Sequence, residues 1–237
     1  MKVLVYSSNK GGVGKSSIAL NVAGYLGLKR KVLYIGLDGQ KNSSNVLRKE
    51  TPTNTIYDVL NGSVDIKQAI YESNFKNVYY VPENRKLDNT SINRIALKEL
   101  TEPIYRDFDY IVIDCPPQLS SIVYSAYALA DEVIIPTELD RFSADNLVHV
   151  INTIKEINSN ASICILPNKV VSNSKLHKEV KGELKSYVDT LDNVILGNSL
   201  SNSIEISNQM FGGKLLTLSN KFNKLKNQLK KHANEVR

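Results

Sequence analysis

The chain has 237 residues, of which 42% are apolar and 23% charged, and its formal net charge is +6. This length and composition suffice for one sizeable core, so we expect a single folded domain over residues 1–237. No uninterrupted apolar run approaches the roughly 18 residues that a transmembrane helix needs, and the first residues do not resemble a signal peptide. We therefore expect a cytoplasmic protein. The positive charge permits an anionic partner, either DNA or an acidic membrane surface.

The strongest local signal is the segment from Asn9 to Ser17. An apolar run at residues 3–6 precedes it and an apolar stretch at helical spacing follows at residues 18–26, which predicts strand, glycine-rich turn and helix. Backbone N–H groups of such a turn point at phosphate oxygens, and the helix directs its positive end at them. The expected nucleotide-binding residues are Lys10, Gly11, Gly12, Val13, Gly14, Lys15, Ser16 and Ser17.

Two side chains in this loop have the chemistry of a phosphate and metal site. Lys15 offers a mobile charge to the β- and γ-phosphates, and the Ser16 hydroxyl suits a Mg²⁺ ligand. The alternative is a glycine-rich turn that only joins strand to helix, which explains the two lysines and Ser16 less well. We therefore predict a nucleotide site.

The order Lys-Gly-Gly-Val-Gly-Lys-Ser at residues 10–16 resembles the deviant Walker A loop of the ParA/MinD ATPases. The usual phosphate-loop pattern is not strictly matched, because Asn9 stands where its first glycine is expected. The resemblance implies ATP and Mg²⁺ as cofactors and a homodimer in the ATP-bound state. In that family the lysine equivalent to Lys10 reaches across the dimer interface to the nucleotide of the partner subunit.

A second strand is predicted at residues 31–37 and ends at Asp38, where working residues of doubly wound sheets lie. The family has Asp-x-Asp-Pro-Gln here; this chain keeps Asp38 and Gln40 and has Gly36 and Gly39 at the other two positions. The resemblance makes Asp38 the residue that orients or activates the attacking water. The alternative is an aspartate that caps the next turn.

The region between residues 42 and 105 is less regular. It predicts one strand at residues 78–81 and short helices, and it contains no catalytic constellation. The predicted helices cover Ser44–Lys49, Ile56–Leu60, Ile66–Tyr71 and Ile92–Tyr105.

The second strong signal is the segment 109–117, in which four apolar residues end in Asp114. This pattern is typical of a Walker B strand, a buried parallel strand that delivers a carboxylate to the phosphate side of the sheet. Coupled to the loop about 100 residues upstream, it predicts that Asp114 holds Mg²⁺ through a coordinated water. The following Cys-Pro-Pro resembles the opening of the family's switch II.

Further strands are predicted at residues 133–137 and 162–166, with a long helix between them that ends near Asn158. Asn168 follows the second of these strands, and in related nucleotide-binding proteins an asparagine here contacts the base, so it is our candidate adenine contact. Ordinary turn chemistry is the alternative. Strands that alternate with helices predict an α/β fold, a doubly wound, mostly parallel sheet of the deviant Walker A P-loop type.

Two basic helices are predicted in the C-terminal third. The first has an apolar stripe at Leu176, Val180, Leu184 and Val188, and the last helix turns Phe222, Leu225 and Leu229 inward. Lysines lie off both stripes on common faces. The candidate DNA-binding residues are Lys178, Lys181, Lys185, Lys221, Lys224 and Lys231. The alternative is that these lysines only solvate outer faces.

The resemblance implies a ParA-type partition ATPase for plasmid or chromosome segregation, located at the nucleoid. ATP would close a dimer that binds nonspecific DNA, and a ParB-like partner would stimulate hydrolysis. One departure is the segment 201–205, which has Glu205 where relatives often carry a basic residue. The alternatives are a MinD-like positioning ATPase at a membrane, which we consider less well supported by the few bulky residues of the last helix, or another protein-binding switch.

Overall fold

The computed structural model describes residues 1–40, 42–140, 143–220 and 223–236. The described residues form one eight-stranded sheet in the order β3-β4-β2-β5-β1-β6-β7-β8, and every neighbouring pair is parallel except β3 with β4. The strands are β1 Lys2–Tyr6, β2 Val32–Gly36, β3 Tyr71–Glu72, β4 Val78–Val81, β5 Tyr110–Asp114, β6 Glu132–Glu138, β7 Ser162–Asn168 and β8 Val194–Leu196.

Helices cover both faces of the sheet and enclose two apolar cores. The α-helices are α1 Lys15–Leu26, α2 Asn42–Leu47, α3 Ile56–Leu60, α4 Ala96–Thr101, α5 Ser121–Leu129, α6 Ser143–Ile157, α7 Lys175–Val188, α8 Glu205–Phe211 and α9 Lys224–Glu235. Buried residues of α3 to α6 form one core with one side of the sheet, and those of α1 and α9 form the other. The predicted doubly wound, mostly parallel α/β fold is therefore confirmed.

Two predicted helices are shorter than expected. Residues Ile66–Ala69 form a 3₁₀ helix, and Tyr71 then pairs with Tyr80 in the antiparallel edge of the sheet. In the segment from Ile92 to Tyr105 only α4 is α-helical, followed by a 3₁₀ helix at Glu102–Ile104. The first residues of that segment are held outside the helix, where the Ile92 N–H donates to a side chain of α5 at 3.1 Å. At its other end Pro103 lacks the N–H that an α-helix needs.

Strand register brings the ends of three central strands to one level. Asp114 is paired in register with Tyr6 on one side and with Gly36 on the other. From β1 the chain continues to one side through α1 and β2, and the later strands β6 to β8 lie on the other side. Ligands of open α/β sheets bind beyond the carboxyl ends of strands at such a change of direction, and the phosphate loop, Asp38 and Asp114 lie there.

Candidate functional site

The loop between β1 and α1 adopts a conformation that needs glycine. Gly12 and Gly14 have φ values of +73° and +95°, in the left-handed region, and Gly14 is the N-cap of α1. The Asn168 side-chain nitrogen donates to the Val13 carbonyl at 2.8 Å. A Cβ added to Gly14 would lie 2.6 Å from that nitrogen. Backbone conformation and close packing therefore both exclude a side chain at position 14.

The two lysines of the loop have opposite environments. Lys15 is buried, its Nζ donates to the Lys10 carbonyl at 3.3 Å, and burial lowers its pKa, opposed by the negative charge of Asp114. The Lys10 side chain is 45% exposed, and its Nζ lies 2.6 Å from Asp140 Oδ2 and 3.9 Å from Glu138 Oε2. The hydrogen bond to Asp140 raises the pKa of Lys10. Lys15 faces into the loop, whereas Lys10 is held outside it by acids.

Asp114 ends β5 as a buried carboxylate beside the loop. Its Oδ2 accepts hydrogen bonds from Tyr34 Oη at 3.0 Å and from Ser43 Oγ at 3.1 Å. Burial raises the pKa of Asp114 to about 6, and the shift is limited by the Ser16 and Tyr34 hydroxyls and by the Lys15 charge. Oδ1 is also buried, and no described residue donates a well-formed hydrogen bond to it, although the Ser16 hydroxyl lies close to the carboxyl group.

These groups fit a Mg²⁺ ion. A buried carboxylate oxygen that lacks a donor is costly unless a cation satisfies it, and hydroxyl and carboxylate oxygens are ligands that Mg²⁺ accepts. Within the described ranges, no group of three or more His, Cys, Asp or Glu residues could hold a metal ion. A metal bound together with phosphates needs only one or two protein ligands, because water and phosphate oxygens complete its shell.

Asp38 lies at the edge of a cavity of about 580 Å³ that also borders the phosphate loop. The cavity is lined on its other sides by residues of α2 and α8, among them Asn45, Met210 and the exposed Phe211. The Asp38 carboxylate accepts a hydrogen bond from the Gln40 N–H at 3.0 Å, so it caps its own turn as well as facing the cavity. Its assignment as the water-orienting residue stays a prediction.

Asn168 is buried against the phosphate loop through its bond to the Val13 carbonyl. One donor of its amide is thus used to hold the loop and close the space beside Gly14. A contact between Asn168 and adenine stays a prediction, and the observed bond gives this side chain a structural task that the sequence did not indicate.

The candidate DNA-binding lysines flank one edge of the sheet. Lys181 donates to Ser199 at 2.7 Å and Lys231 to the neighbouring Asn198 at 3.3 Å, so side chains of both α7 and α9 reach the loop that follows β8. Lys178, Lys185 and Lys224 are exposed, although Lys185 is paired with Asp189 and Lys224 contacts Ser172. Lys221 lies outside the described residues.

The apolar stripes of the two basic helices are buried to different extents. Leu225 and Leu229 of α9 are buried as predicted, and Phe222 lies outside the described residues. In α7 the apolar stripe is fully buried only at Val188, and Leu176 at its other end is 40% exposed. The reason is that β8, the strand that α7 covers, has only three residues. No helix in the described part of the chain is long and apolar enough to cross a membrane.

Three residues of the site were missed by the sequence reasoning. Tyr34 and Ser43 bind Asp114, and the buried Glu83, which follows β4, binds the first turn of α2. One signal was available, because Glu83 is an acid two residues after the predicted strand at residues 78–81. Glu83 comes close to Asp114 because β4 lies beside β2 in the sheet. This tertiary arrangement cannot be read from the local sequence.

Comparisons with known proteins place this chain in a family. The AAA domain family AAA_31 matches residues 1–165. A ParA family protein of Mycoplasma pneumoniae is 31% identical over 209 residues, which cover 78% of this chain and 77% of the relative. The chromosome-partitioning ATPase Soj of Treponema pallidum is 28% identical over 209 residues, with 82% of each chain covered.

Another relative, an uncharacterized protein of Pseudomonas putida, is 34% identical over 166 residues, and the match covers 66% of this chain and 63% of the relative's length. Among solved structures, the complex of Cyanothece McdA(D38A) with ATP superimposes with a TM-score of 0.89 at 23% identity, covering 100% of this chain and 96% of that one. This likeness supports the fold. The sequence matches, together with the phosphate loop at the switch point, establish that the chain belongs to the ParA/MinD family of P-loop ATPases.

Proposed function

We propose that residues 1–237 form one ParA-type ATPase domain that acts as an ATP-driven switch in the partition of DNA. The observation that carries this proposal is the contrast between the two loop lysines. Lys15 is buried beside the phosphate loop and Asp114, whereas Lys10 leaves the loop on an exposed surface. A lysine that only held its own nucleotide would not need that position. A lysine that contacts the nucleotide of a partner subunit needs such an exposed position.

In this proposal each site residue has one task. The amides of residues 10–17 and the Lys15 ammonium bind the phosphates of ATP. Ser16 and Asp114 hold Mg²⁺, which when bound neutralises phosphate charge. Asp38 orients the attacking water. Lys10 of the partner subunit stabilises the charge that develops on the transferred phosphoryl group.

DNA is the proposed partner of the basic edge. Lys181 of α7 and Lys231 of α9 reach the same loop, at Ser199 and Asn198, and Lys178, Lys185, Lys224 and Lys231 are exposed. Such contacts are mainly to phosphates, so binding is expected to be independent of sequence and to weaken steeply with salt. By analogy with the relatives named for chromosome partitioning, a ParB-like protein would stimulate hydrolysis and the complex would be located at the nucleoid.

The membrane alternative is less well supported. An interfacial helix presents bulky apolar residues to the bilayer. The apolar residues Leu225, Leu229 and Val236 at the C-terminal end are buried in the core that α1 and α9 form with one side of the sheet. Membrane contact through them would require α9 to leave the sheet.

The test is binding of random-sequence duplex DNA with and without ATP, at two salt concentrations. We expect wild type to bind only with ATP and less tightly at the higher salt, and Lys10→Ala not to bind even with ATP because its dimer does not form. Binding that is equally tight with and without ATP would mean that the basic edge attracts DNA independently of the nucleotide state. Absence of binding would refute the DNA-partition role and favour a protein or membrane partner, which liposome flotation would distinguish.

A further inference from the structure

Glu83 is a buried carboxylate that the proposed roles do not use. It is 3% exposed and follows β4, the strand next to β2. Its Oε1 accepts hydrogen bonds from the backbone N–H groups of Ser43 at 3.1 Å and Ser44 at 3.0 Å, and its Oε2 accepts from the Ser44 hydroxyl. A buried carboxyl group that accepts two backbone N–H bonds is held tightly in one position. Glu83 therefore fixes the first turn of α2.

Gly36 makes the space for this carboxylate. A Cβ built on Gly36 would lie 2.5 Å from Glu83 Oε2 and 3.1 Å from Glu83 Cδ. Gly36 is the last residue of β2 and is paired in register with Asp114. A side chain at position 36 and the carboxylate of Glu83 thus compete for the same volume.

The fixed turn leads directly to Asp114. The Ser43 N–H is bound by Glu83, and the hydroxyl of the same residue donates to Asp114 Oδ2 at 3.1 Å and lies 2.9 Å from Tyr34 Oη. Because Oδ2 is occupied by these two hydroxyls, the carboxyl group is oriented with Oδ1 unsatisfied. Movement of the α2 turn would move the Ser43 hydroxyl and remove one of the two hydrogen bonds that set this orientation of Asp114.

We propose that Glu83 is a positioning residue of the metal site, which acts through Ser43 to aim Oδ1 of Asp114 at Mg²⁺, and that Gly36 is its required partner. This inference rests on the proposed Mg²⁺–ATP function. The contact of α2 with the cavity, through Asn45 and Val46, means that the same turn also bounds the nucleotide space. Outer-shell residues of this kind typically change metal affinity by about 10- to 100-fold when they are removed.

The geometry also predicts a rescue. A short acidic side chain at position 36 would carry its oxygens about 2.4 Å beyond its Cβ by standard bond lengths, which is close to the place of Glu83 Oε2. In Gly36→Asp/Glu83→Ala a carboxylate returns to the same volume from the neighbouring strand. Gly36→Asp alone puts two carboxylates and too many atoms there, so it should damage the site.

The experiment measures the Kd of ATP by calorimetry in excess MgCl₂ and in EDTA. The Kd in EDTA divided by the Kd in MgCl₂ gives the contribution of the metal to ATP binding. We expect the ratio to fall about 10- to 100-fold in Glu83→Ala. Glu83→Gln keeps an oxygen for the two amides and should lose less, and the double variant should recover most of the wild-type ratio. The matched control is Glu132→Ala, which removes another buried acid, one that pairs with Lys2 at the opposite end of the sheet.

Each result decides a different point. A folded Glu83→Ala protein with an unchanged ratio overturns the positioning role. If the Kd ratio of the double variant is no higher than that of Glu83→Ala, a carboxylate at position 36 cannot replace Glu83, and that part of the proposal is overturned. If Glu83→Ala does not fold, Ser43→Ala tests the same path, and an unchanged ratio there also overturns it. Wild type whose ATP affinity is insensitive to Mg²⁺ would instead refute the proposed function and this inference together.

Discussion

Asp140→Asn should strengthen the ATP-bound dimer. In the monomer the Lys10 ammonium is held by Asp140 at 2.6 Å, and it has to leave this acid to reach a nucleotide in the partner subunit. The substitution removes the charge of the acid and keeps its size. The lysine is then released at lower cost, while Glu138 at 3.9 Å remains as a weaker attraction.

The size of the expected change in dimer Kd follows from the solvent exposure of Lys10 and Asp140. The two side chains are 45% and 31% exposed, so solvent screens the pair and its contribution is about 0.2–1 kcal/mol. A symmetric dimer breaks two such pairs, which doubles the gain to about 0.4–2 kcal/mol. This corresponds to a dimer Kd that is about 2- to 30-fold lower. The effect should decrease at high salt.

Sedimentation equilibrium with ATP measures the dimer Kd. The matched control is Asp189→Asn, which breaks the exposed pair with Lys185 on α7, away from the phosphate loop, and should leave the Kd unchanged. A dimer Kd that stays the same or rises in Asp140→Asn would refute the reasoning, because Asp140 would then be neutral or would itself support the interface. A gain that survives in Lys10→Ala would also show that the lysine is not the group released.

Three further predictions concern the loop, the metal ligand and a buried histidine. Gly14→Ala should weaken ATP binding at least tenfold by calorimetry, because it adds both left-handed backbone strain and a 2.6 Å contact, whereas Gly62→Ala adds only the strain and should leave binding intact. Asp114→Asn should remove most ATP turnover, measured as released phosphate, and the advantage of Mg²⁺ for ATP binding. Burial lowers the pKa of His232 to about 4, so between pH 6.5 and 4 the unfolded chain binds more protons and the free energy of unfolding falls by up to about 3 kcal/mol as the pH falls. Urea titrations of Tyr6→Phe/His232→Leu, which removes the ring together with its 3.3 Å hydroxyl partner, should lack this part of the pH dependence.

The phosphate loop and Asp114 were predictable because their signals are local. A glycine at φ +95° directly before a helix and an acid at the end of a buried strand are properties of a few consecutive residues. The parallel sheet followed from the alternation of strands and helices. By contrast, the segment from Ile92 to Tyr105 has apolar residues near helical spacing, yet tertiary contacts and Pro103 leave only α4 helical.

The partners of the site residues could not be predicted in the same way. Gly36 looks like the loss of an acid when β2 is considered alone. Only the position of β4 beside β2 shows that Glu83 fills the space which Gly36 leaves. The hold of Asp140 on Lys10 likewise joins residues 130 positions apart. Contacts between strand ends depend on strand order, and strand order is a property of the whole sheet.

The site thus divides into a part that is fixed and a part that is free to switch. Asp114, Ser43 and Glu83 are all buried, and hydrogen bonds connect them across three elements, so moving them means breaking buried polar contacts at about 1–3 kcal/mol each. Lys10 is held by solvent-screened ion pairs with Asp140 and Glu138, each of which costs at most about 1 kcal/mol to break. If the proposed switch operates, the metal side is therefore preorganised before nucleotide arrives, and the lysine is the element whose position a second subunit can change at low cost. Substitutions on the buried side should alter Mg²⁺ and ATP affinity in the monomer, and substitutions around Lys10 should alter dimer formation while leaving that affinity intact.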